Sequence, residues 1–235
     1  MTSEHIQLYL TAEHECSYLP DRMAGNIVPD PKVPLDMPIY SYLLQLGYRR
    51  SGGHVYRPYC RKCKECLPCR IPVSQFKPRR SQQRCLKANQ DLSQTMVKAD
   101  YSDEYFELYR DYLNVRHGDG EMANPEPDDF KQFLYSDWSN THFLEVRKDG
   151  RLLAVAVTDV TPAGLSAVYT FFDPAESRRG LGSFCIMQQI LQAKKLHLEH
   201  LYMGYWIKDC QKMKYKADFQ PIQTLIDDIW QACPQ

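Results

Sequence analysis

Apolar and polar positions along this 235-residue chain follow two periods, and the change comes near residue 140. Between Asp103 and Val115, Phe106, Tyr109 and Leu113 recur at three- and four-residue spacing, which predicts an amphipathic helix. A shorter helix is expected over Pro125–Tyr135, with acids in its first turn and Phe130, Phe133 and Leu134 facing inward. A polar, basic helix is expected over 79–98, after Pro78. Beyond residue 140, His142–Val146, Leu152–Val160 and Leu165–Phe172 are rich in β-branched and aromatic residues. Turn sequences, Lys148-Asp149-Gly150 and Thr161-Pro162-Ala163-Gly164, divide them, so three antiparallel strands are predicted. A helix to about Leu196, a strand over His200–Tyr205 and a helical stretch over Ile207–Lys216 follow. Residues 1–48 carry five prolines and are expected to be largely extended or looped, while Pro58 and Pro68 rule out a long helix over 49–70.

The order strand, strand, strand, glycine turn, helix, strand is similar to an acyltransferase core of the GNAT type. In such a core, a turn like Arg178-Arg179-Gly180-Leu181-Gly182 opens a helix whose N–H groups and dipole hold an anion. Glycines near a helix start are common, so the weight lies in the turn's place in the strand order. The expected fold is α+β. A GNAT-like core at 99–235, a mixed and mostly antiparallel sheet with flanking helices, follows a small Cys-rich, basic region at 1–98.

Composition adds that the chain is globular, with 43% apolar and 25% charged residues. The longest apolar run, Leu152–Val157, falls far short of the ~20 residues of a membrane span. Met1–Cys16 is acidic and has no basic stretch followed by an apolar one, so a cytoplasmic protein with no membrane partner is expected. Charge changes the picture more. Basic and acidic residues balance at 29 each, but Arg49–Gln90 holds twelve Lys/Arg against one acid, Glu65. That segment is either a solvated basic loop or the footprint of a polyanion such as RNA.

Nine cysteines in a chain with no export signal point to metal or redox chemistry rather than disulfides. Four of them form Cys60-x2-Cys63-x2-Cys66-x2-Cys69. Thiolates two residues apart reach one soft ion, as in zinc and iron–sulfur sites. The pairs are too close together for a usual tetrahedral zinc module, and the run departs from the ferredoxin pattern. Not all four are therefore expected to bind one ion, and the remote Cys16 is expected to supply a ligand. The alternatives are a set of reduced thiols and a redox-sensitive cluster.

Longer motifs carry a family resemblance. Cys16-Ser-Tyr-Leu-Pro, Arg50-Ser-Gly-Gly-His-Val-Tyr-Arg-Pro-Tyr-Cys60 and Cys66-Leu-Pro-Cys69-Arg-Ile-Pro resemble the N-terminal part of the arginyl-tRNA–protein transferase family of the N-degron pathway. Tyr169-Thr-Phe-Phe-Asp-Pro174, Tyr202-Met-Gly-Tyr-Trp-Ile207 and Lys212-Met-Lys-Tyr-Lys216 resemble its C-terminal part. Chain length and the cysteine run are similar to the bacterial, leucine-transferring branch. Leu19 stands where the longer eukaryotic arginyltransferases have a second cysteine. The resemblance implies transfer of leucine from Leu-tRNA to proteins with N-terminal Asp or Glu, marking them for degradation, with no cofactor required for transfer. Arginine is the alternative donor residue. A CoA-dependent N-acetyltransferase leaves the basic and cysteine segments without a purpose, and a non-catalytic RNA-binding protein leaves the strand–turn–helix core idle.

For such a transfer, Asp173 is the candidate to orient or deprotonate the acceptor amine, with a turn residue before Pro174 as the plain alternative. Tyr169 and Tyr205 are candidate donors or proton relays, against ordinary core packing. Arg57, Arg79, Lys212, Lys214 and Lys216 are candidates to read the acidic side chain. The lysines equally suit the tRNA acceptor end or a solvated helix face. Arg178 and Arg179 are candidates for the tRNA 3′ phosphates, and Trp206 for stacking on the terminal adenine or for the core. His54 is a candidate metal ligand or a surface histidine.

Overall fold

The computed structural model describes residues 6–117 and 124–234. Short strands lead the chain: β1 (Leu8–Leu10), β2 (His14–Glu15), β3 (Met23–Ala24) and β4 (Asn26–Pro29). Then come α1 (Met37–Gln45), β5 (Arg49–Ser51), β6 (His54–Pro58), β7 (Leu67–Pro72), α2 (Arg80–Ala88) and β8 (Ser93–Lys98). Two helices, α3 (Asp103–His117) and α4 (Pro127–Leu134), precede the central strands β9 (Thr141–Lys148), β10 (Arg151–Thr161) and β11 (Gly164–Phe172). A 3-10 turn at Pro174–Arg179 leads into α5 (Leu181–Lys195), β12 (His200–Trp206), α6 (Gln211–Lys214), a second 3-10 turn at Tyr215–Asp218, and the hairpin β13 (Gln223–Ile226) and β14 (Ile229–Ala232).

The architecture is mixed α/β around one large sheet. Its eight strands lie in the order β14-β13-β7-β12-β11-β10-β9-β8, and every pairing but β11 with β12 is antiparallel. β10 is buried along nearly its whole length, which is why its sequence reads as an unbroken apolar run rather than an alternation. Asp149 and Gly150, both at positive φ, close the β9–β10 hairpin. One face packs under α5, where Ile186, Met187 and Ile190 meet Ile71, Leu165, Leu201 and Met203. Tyr109 and Leu113 of α3 and Phe130 and Leu134 of α4 pack with Phe143, Val155, Val157 and Phe171 of the strands. A four-stranded sheet, β1-β4-β6-β5, stands beside them.

The predicted helices at 103–115 and 125–135 and the three central strands are present, and other stretches differ. The helix expected over 79–98 stops at Ala88. Asn89 turns back to donate to the carbonyls of Cys85 and Arg179, both at 2.9 Å, and Ser93–Lys98 becomes the edge strand beside β9. In the proline-rich start, α1 forms because Asp36 caps it, accepting from the Ile39 N–H at 2.8 Å, and Pro38 sits in its first turn. The helix expected to end near Lys216 is a single α turn followed by a 3-10 turn. β7 and β8 belong to the large sheet, so the chain before residue 99 supplies two of its eight strands. No helix among the described residues is long and apolar enough to cross a membrane.

Candidate active site

The one parallel contact in the large sheet creates an opening. β11 and β12 pair at Leu165–Leu201 and Ser166–Tyr202 and then separate, β11 continuing along β10 and β12 along β7. Beyond that point the carbonyls of Ala167 and Val168 have no partner on β12. Arg49 fills the gap, its Nη2 donating to both carbonyls at 2.9 Å. On the opposite strand Gly204 has φ +77°, and a Cβ there would lie 1.4 Å from Arg49 Nη1. Only glycine lets the guanidinium lie against that backbone. Arg49 is enclosed by protein yet remains partly accessible to solvent.

Tyr169 and Tyr205 stand on the two separating strands. Tyr169 packs edge-on to Tyr109, Tyr112 and Phe133, with centroids 5.1–6.3 Å away, and its buried hydroxyl has no hydrogen-bond partner among the described residues. The Tyr205 hydroxyl lies 3.1 Å from the carbonyls of both Gly47 and Tyr56. Burial raises the pKa of each, so both stay neutral donors. Lys216 is buried and donates to the Tyr205 carbonyl at 2.7 Å. Burial, with the positive charge of Arg49 adding to it, brings the Lys216 pKa down to about 8.

Other candidates are engaged elsewhere. Asp173 ends β11 and caps the following 3-10 turn, accepting from the Ala175 N–H at 2.8 Å and pairing with Arg151. Arg179 is held by Asp91 at 3.0 Å and Glu176 at 2.8 Å, and Arg179, ahead of Lys148, brings the Asp91 carboxyl down to about 2. Arg178 is exposed and has no ion-pair partner among the described residues. Gly180, in the left-handed conformation, precedes α5, and Gly182 lies in its first turn beside the Phe172 ring. Arg57 ties the end of α1 to the β13–β14 turn, donating to Leu46 O at 2.8 Å and pairing with Asp228 at 3.2 Å. Arg79 pairs with Asp218 at 2.8 Å. Lys212 and Lys214 are exposed. Trp206 lies in the core under α5, only 5% exposed. The core packing weighed against adenine stacking is the arrangement found. His54 is exposed and, with Tyr109, Asp129 and Phe133, lines a groove of about 640 Å³.

Cys16, Cys60, Cys63 and Cys66 line one cavity of about 200 Å³, along with Tyr18, Tyr56 and Tyr205. Cys69 points away into the core, 1% exposed. The Arg22 guanidinium donates to Cys63 Sγ at 3.1 Å. Burial first, and then the neighbouring Cys60, Cys16 and Cys63, push the Cys66 thiol up to about 12. Among the described residues no three Cys, His, Asp or Glu side chains stand in metal-ligating geometry.

Sequence reasoning passed over Arg49. It adjoins Arg50 in a basic run, and the sole signal that separates the two is strand alternation, which requires knowing that residues 49–51 are a strand.

Residues 14–84 match the family model for the arginine-tRNA-protein transferase N terminus, and residues 104–226 match that for its C terminus. Curated relatives named aspartate/glutamate leucyltransferase match nearly the whole chain. The protein from Pseudomonas fluorescens strain Pf0-1 is 51% identical over 225 residues, 96% of each chain. The one from Pseudomonas putida strain GB-1 is 49% identical over the same shares. Among solved structures, FemX superposes with a TM-score of 0.49 at 10% identity, over 80% of this chain and 65% of that one.

Proposed function

We propose that this chain, which belongs to the arginine-tRNA-protein transferase family, takes leucine from Leu-tRNA and attaches it to the α-amino group of proteins beginning with Asp or Glu, in the cytoplasm. The observation that carries this reading is the 51% identity, over 96% of both chains, to a relative of that name. The separating parallel pair β11/β12, followed by the Gly180 turn and α5, supports a GNAT-like reading of the core.

The reaction forms an amide between the acceptor's α-nitrogen and the leucyl carbonyl and breaks the ester to the tRNA ribose, whose hydroxyl leaves with a proton. An α-amine of pKa near 7.7–8 is roughly 10–20% unprotonated at pH 7, so deprotonation is not the main barrier. Positioning the two reactants and stabilising the oxyanion are. The Tyr169 hydroxyl, without a partner among the described residues and kept neutral by burial, is suited to donate to that oxyanion. Tyr205 holds the Gly47 and Tyr56 backbone at the same opening. Asp173, already paired with Arg151 and the turn, shapes the approach to α5 rather than acting as a free base. Exposed Lys62, Lys64, Lys77, Arg80, Arg84 and Lys87, without acidic partners among the described residues, offer the surface for tRNA. Cys16, Cys60, Cys63 and Cys66 are the set that would hold a zinc ion or an iron–sulfur cluster. The four line one cavity without standing in ligating geometry, so a bound cation would have to draw them together and would offset the repulsion among their thiolates. Such a centre would pin the N-terminal segment over the opening.

The test is transfer of label from Leu-tRNA or Arg-tRNA to peptides starting with Asp, Glu, Asn or Ala. Label passing from Leu-tRNA to Asp and Glu peptides alone is the expected result. Transfer from Arg-tRNA would overturn the donor assignment.

A further inference from the structure

Arg49 lies in the gap between β11 and β12 and Lys216 is bonded to β12 nearby, and neither has an acid to balance it among the described residues. Arg49 bridges the strands through Nη2, while its Nη1 and Nε have no hydrogen-bond partner among the described residues. Lys216 is bonded to the carbonyl of the residue after Gly204. Neither belongs to an ion pair among the described residues. The next residue along β5 shows what a structural arginine looks like here. Arg50, on the opposite face, is fully buried and clamped by Asp159 through two contacts of 2.6 Å, with Thr141 and the Gly52 and Leu134 carbonyls completing its set. Burying one cation fully paired and leaving two uncompensated is costly unless a ligand brings the missing negative charge.

We propose that Arg49 and Lys216 form the subsite that reads the side-chain carboxylate of the acceptor's first residue; the assignment rests on the transferase reading above. With Nη2 spent on the two carbonyls, the Arg49 guanidinium offers a carboxylate a fixed charge and single hydrogen bonds from its remaining N–H groups, and the Lys216 ammonium adds a point charge. One fixed and one stem-borne cation accommodate carboxylates differing by a methylene, as Asp and Glu do. The subsite lies between the strands that carry Tyr169 and Tyr205, so a carboxylate held there leaves its own α-amine, a few bonds away, at the same opening. Gly204 belongs to the device, because any side chain there would displace the guanidinium. A tRNA phosphate is the competing anion. The unpaired cations of the basic segment that suit RNA are instead on the exposed surface, on α2, just before it and in the loop between β6 and β7, whereas Arg49 lies inside, beside Tyr18, Tyr56 and Tyr205.

The experiment uses the full-length chain with Arg49→Gln, Lys216→Gln, the conservative Arg49→Lys and Gly204→Ala. Transfer from Leu-tRNA to Asp-, Glu-, Asn- and Gln-initiated peptides is measured, and Leu-tRNA binding is followed separately. For Arg49→Gln, KM for the acidic peptides is expected to rise at least tenfold. The preference for Asp over Asn should fall by about two orders of magnitude, as when a site built to bond a charged group loses its partner. Arg49→Lys should restore part of the preference, and Leu-tRNA binding should not change. Gly204→Ala keeps both charges and is expected to shift KM in the same direction, which covers the case in which Arg49→Gln does not fold. The proposal is overturned if activity falls while the Asp-over-Asn preference stays at the wild-type ratio, or if the loss appears in Leu-tRNA affinity. Absence of any wild-type transfer to Asp and Glu peptides would instead remove the underlying reading.

Discussion

Adjacent arginines at positions 49 and 50 have opposite fates because a strand turns successive side chains to opposite faces. Arg50 is a structural ion, so Arg50→Met should destabilise the protein by about 3–5 kcal/mol, since it leaves the Asp159 carboxylate buried and unpaired. Urea denaturation of the variant checks this. Lys216 makes the opposite contribution. Its pKa is about 8 in the folded chain and the ordinary 10.5 when unfolded, so between these values the unfolded state holds the extra proton and stability rises with pH. Below pH 8 both states hold it and the penalty of the buried charge is present in full. Lys216→Met should therefore gain up to about 3 kcal/mol at pH 7, with the gap to wild type narrowing as pH rises from 8 to 10.5. Melting curves across that range measure it. A stabilising substitution that also lowers transfer to acidic peptides would mark Lys216 as kept for function. Among the cysteines, Cys66→Ser should lower the metal content of protein purified anaerobically, whereas Cys69→Ser, in the core, should leave it unchanged. Elemental analysis of the two variants distinguishes them.

At the scale of elements, the opening depends on short pieces with weak sequence signals. Helix α1 carries Tyr40, Leu43 and Leu44 into the core and delivers the chain to β5, hence to Arg49. Its start rests on one cap. Asp36→Ala should cost about 1 kcal/mol of stability, read as a lower urea midpoint at unchanged slope. Burial of its apolar face against Tyr48, Val55 and Tyr202 holds the rest of α1. β12 is the second such element. It leaves β11 after two paired positions because Gly204 breaks its register with β7 and Arg49 occupies the space beside it.

For the whole molecule, charge is distributed differently from its sequence tally. Of the twelve cations between Arg49 and Gln90, Arg50 is buried and Arg49 lies inside the molecule. Arg57, Arg61 and Arg79 are paired with Asp228, Glu13 and Asp218, and Arg70 stacks on Trp230 with its guanidinium 4.3 Å from the ring centre. Six remain for a polyanion. Binding of Leu-tRNA should accordingly weaken with salt at a log–log slope of about −4 to −5, not the value near −10 that twelve contacts would give. Filter binding across salt concentrations measures it, and Arg80→Glu with Arg84→Glu on α2 should reduce the slope and the affinity together.

Local patterns were enough for part of this protein. Phe106, Tyr109 and Leu113 at helical spacing, and the β-branched runs between Lys148-Asp149-Gly150 and Thr161-Pro162-Ala163-Gly164, announce α3 and β9–β11, because each element buries a face whose period is written in its own residues. The convergence of Cys16 with part of the later cysteine run, and the turn before α5, were legible from residue type and spacing. Tertiary structure decided the rest. Ser93–Lys98 is a strand because β9 offers it an edge, and Trp206 is a core residue because α5 covers it. Arg49 faces an opening because two strands far apart in sequence run parallel and then separate. Pairings between distant segments leave no period in either segment, so the sequence marks Tyr169, Tyr205 and Lys216 as candidates but neither places them together nor singles out Arg49.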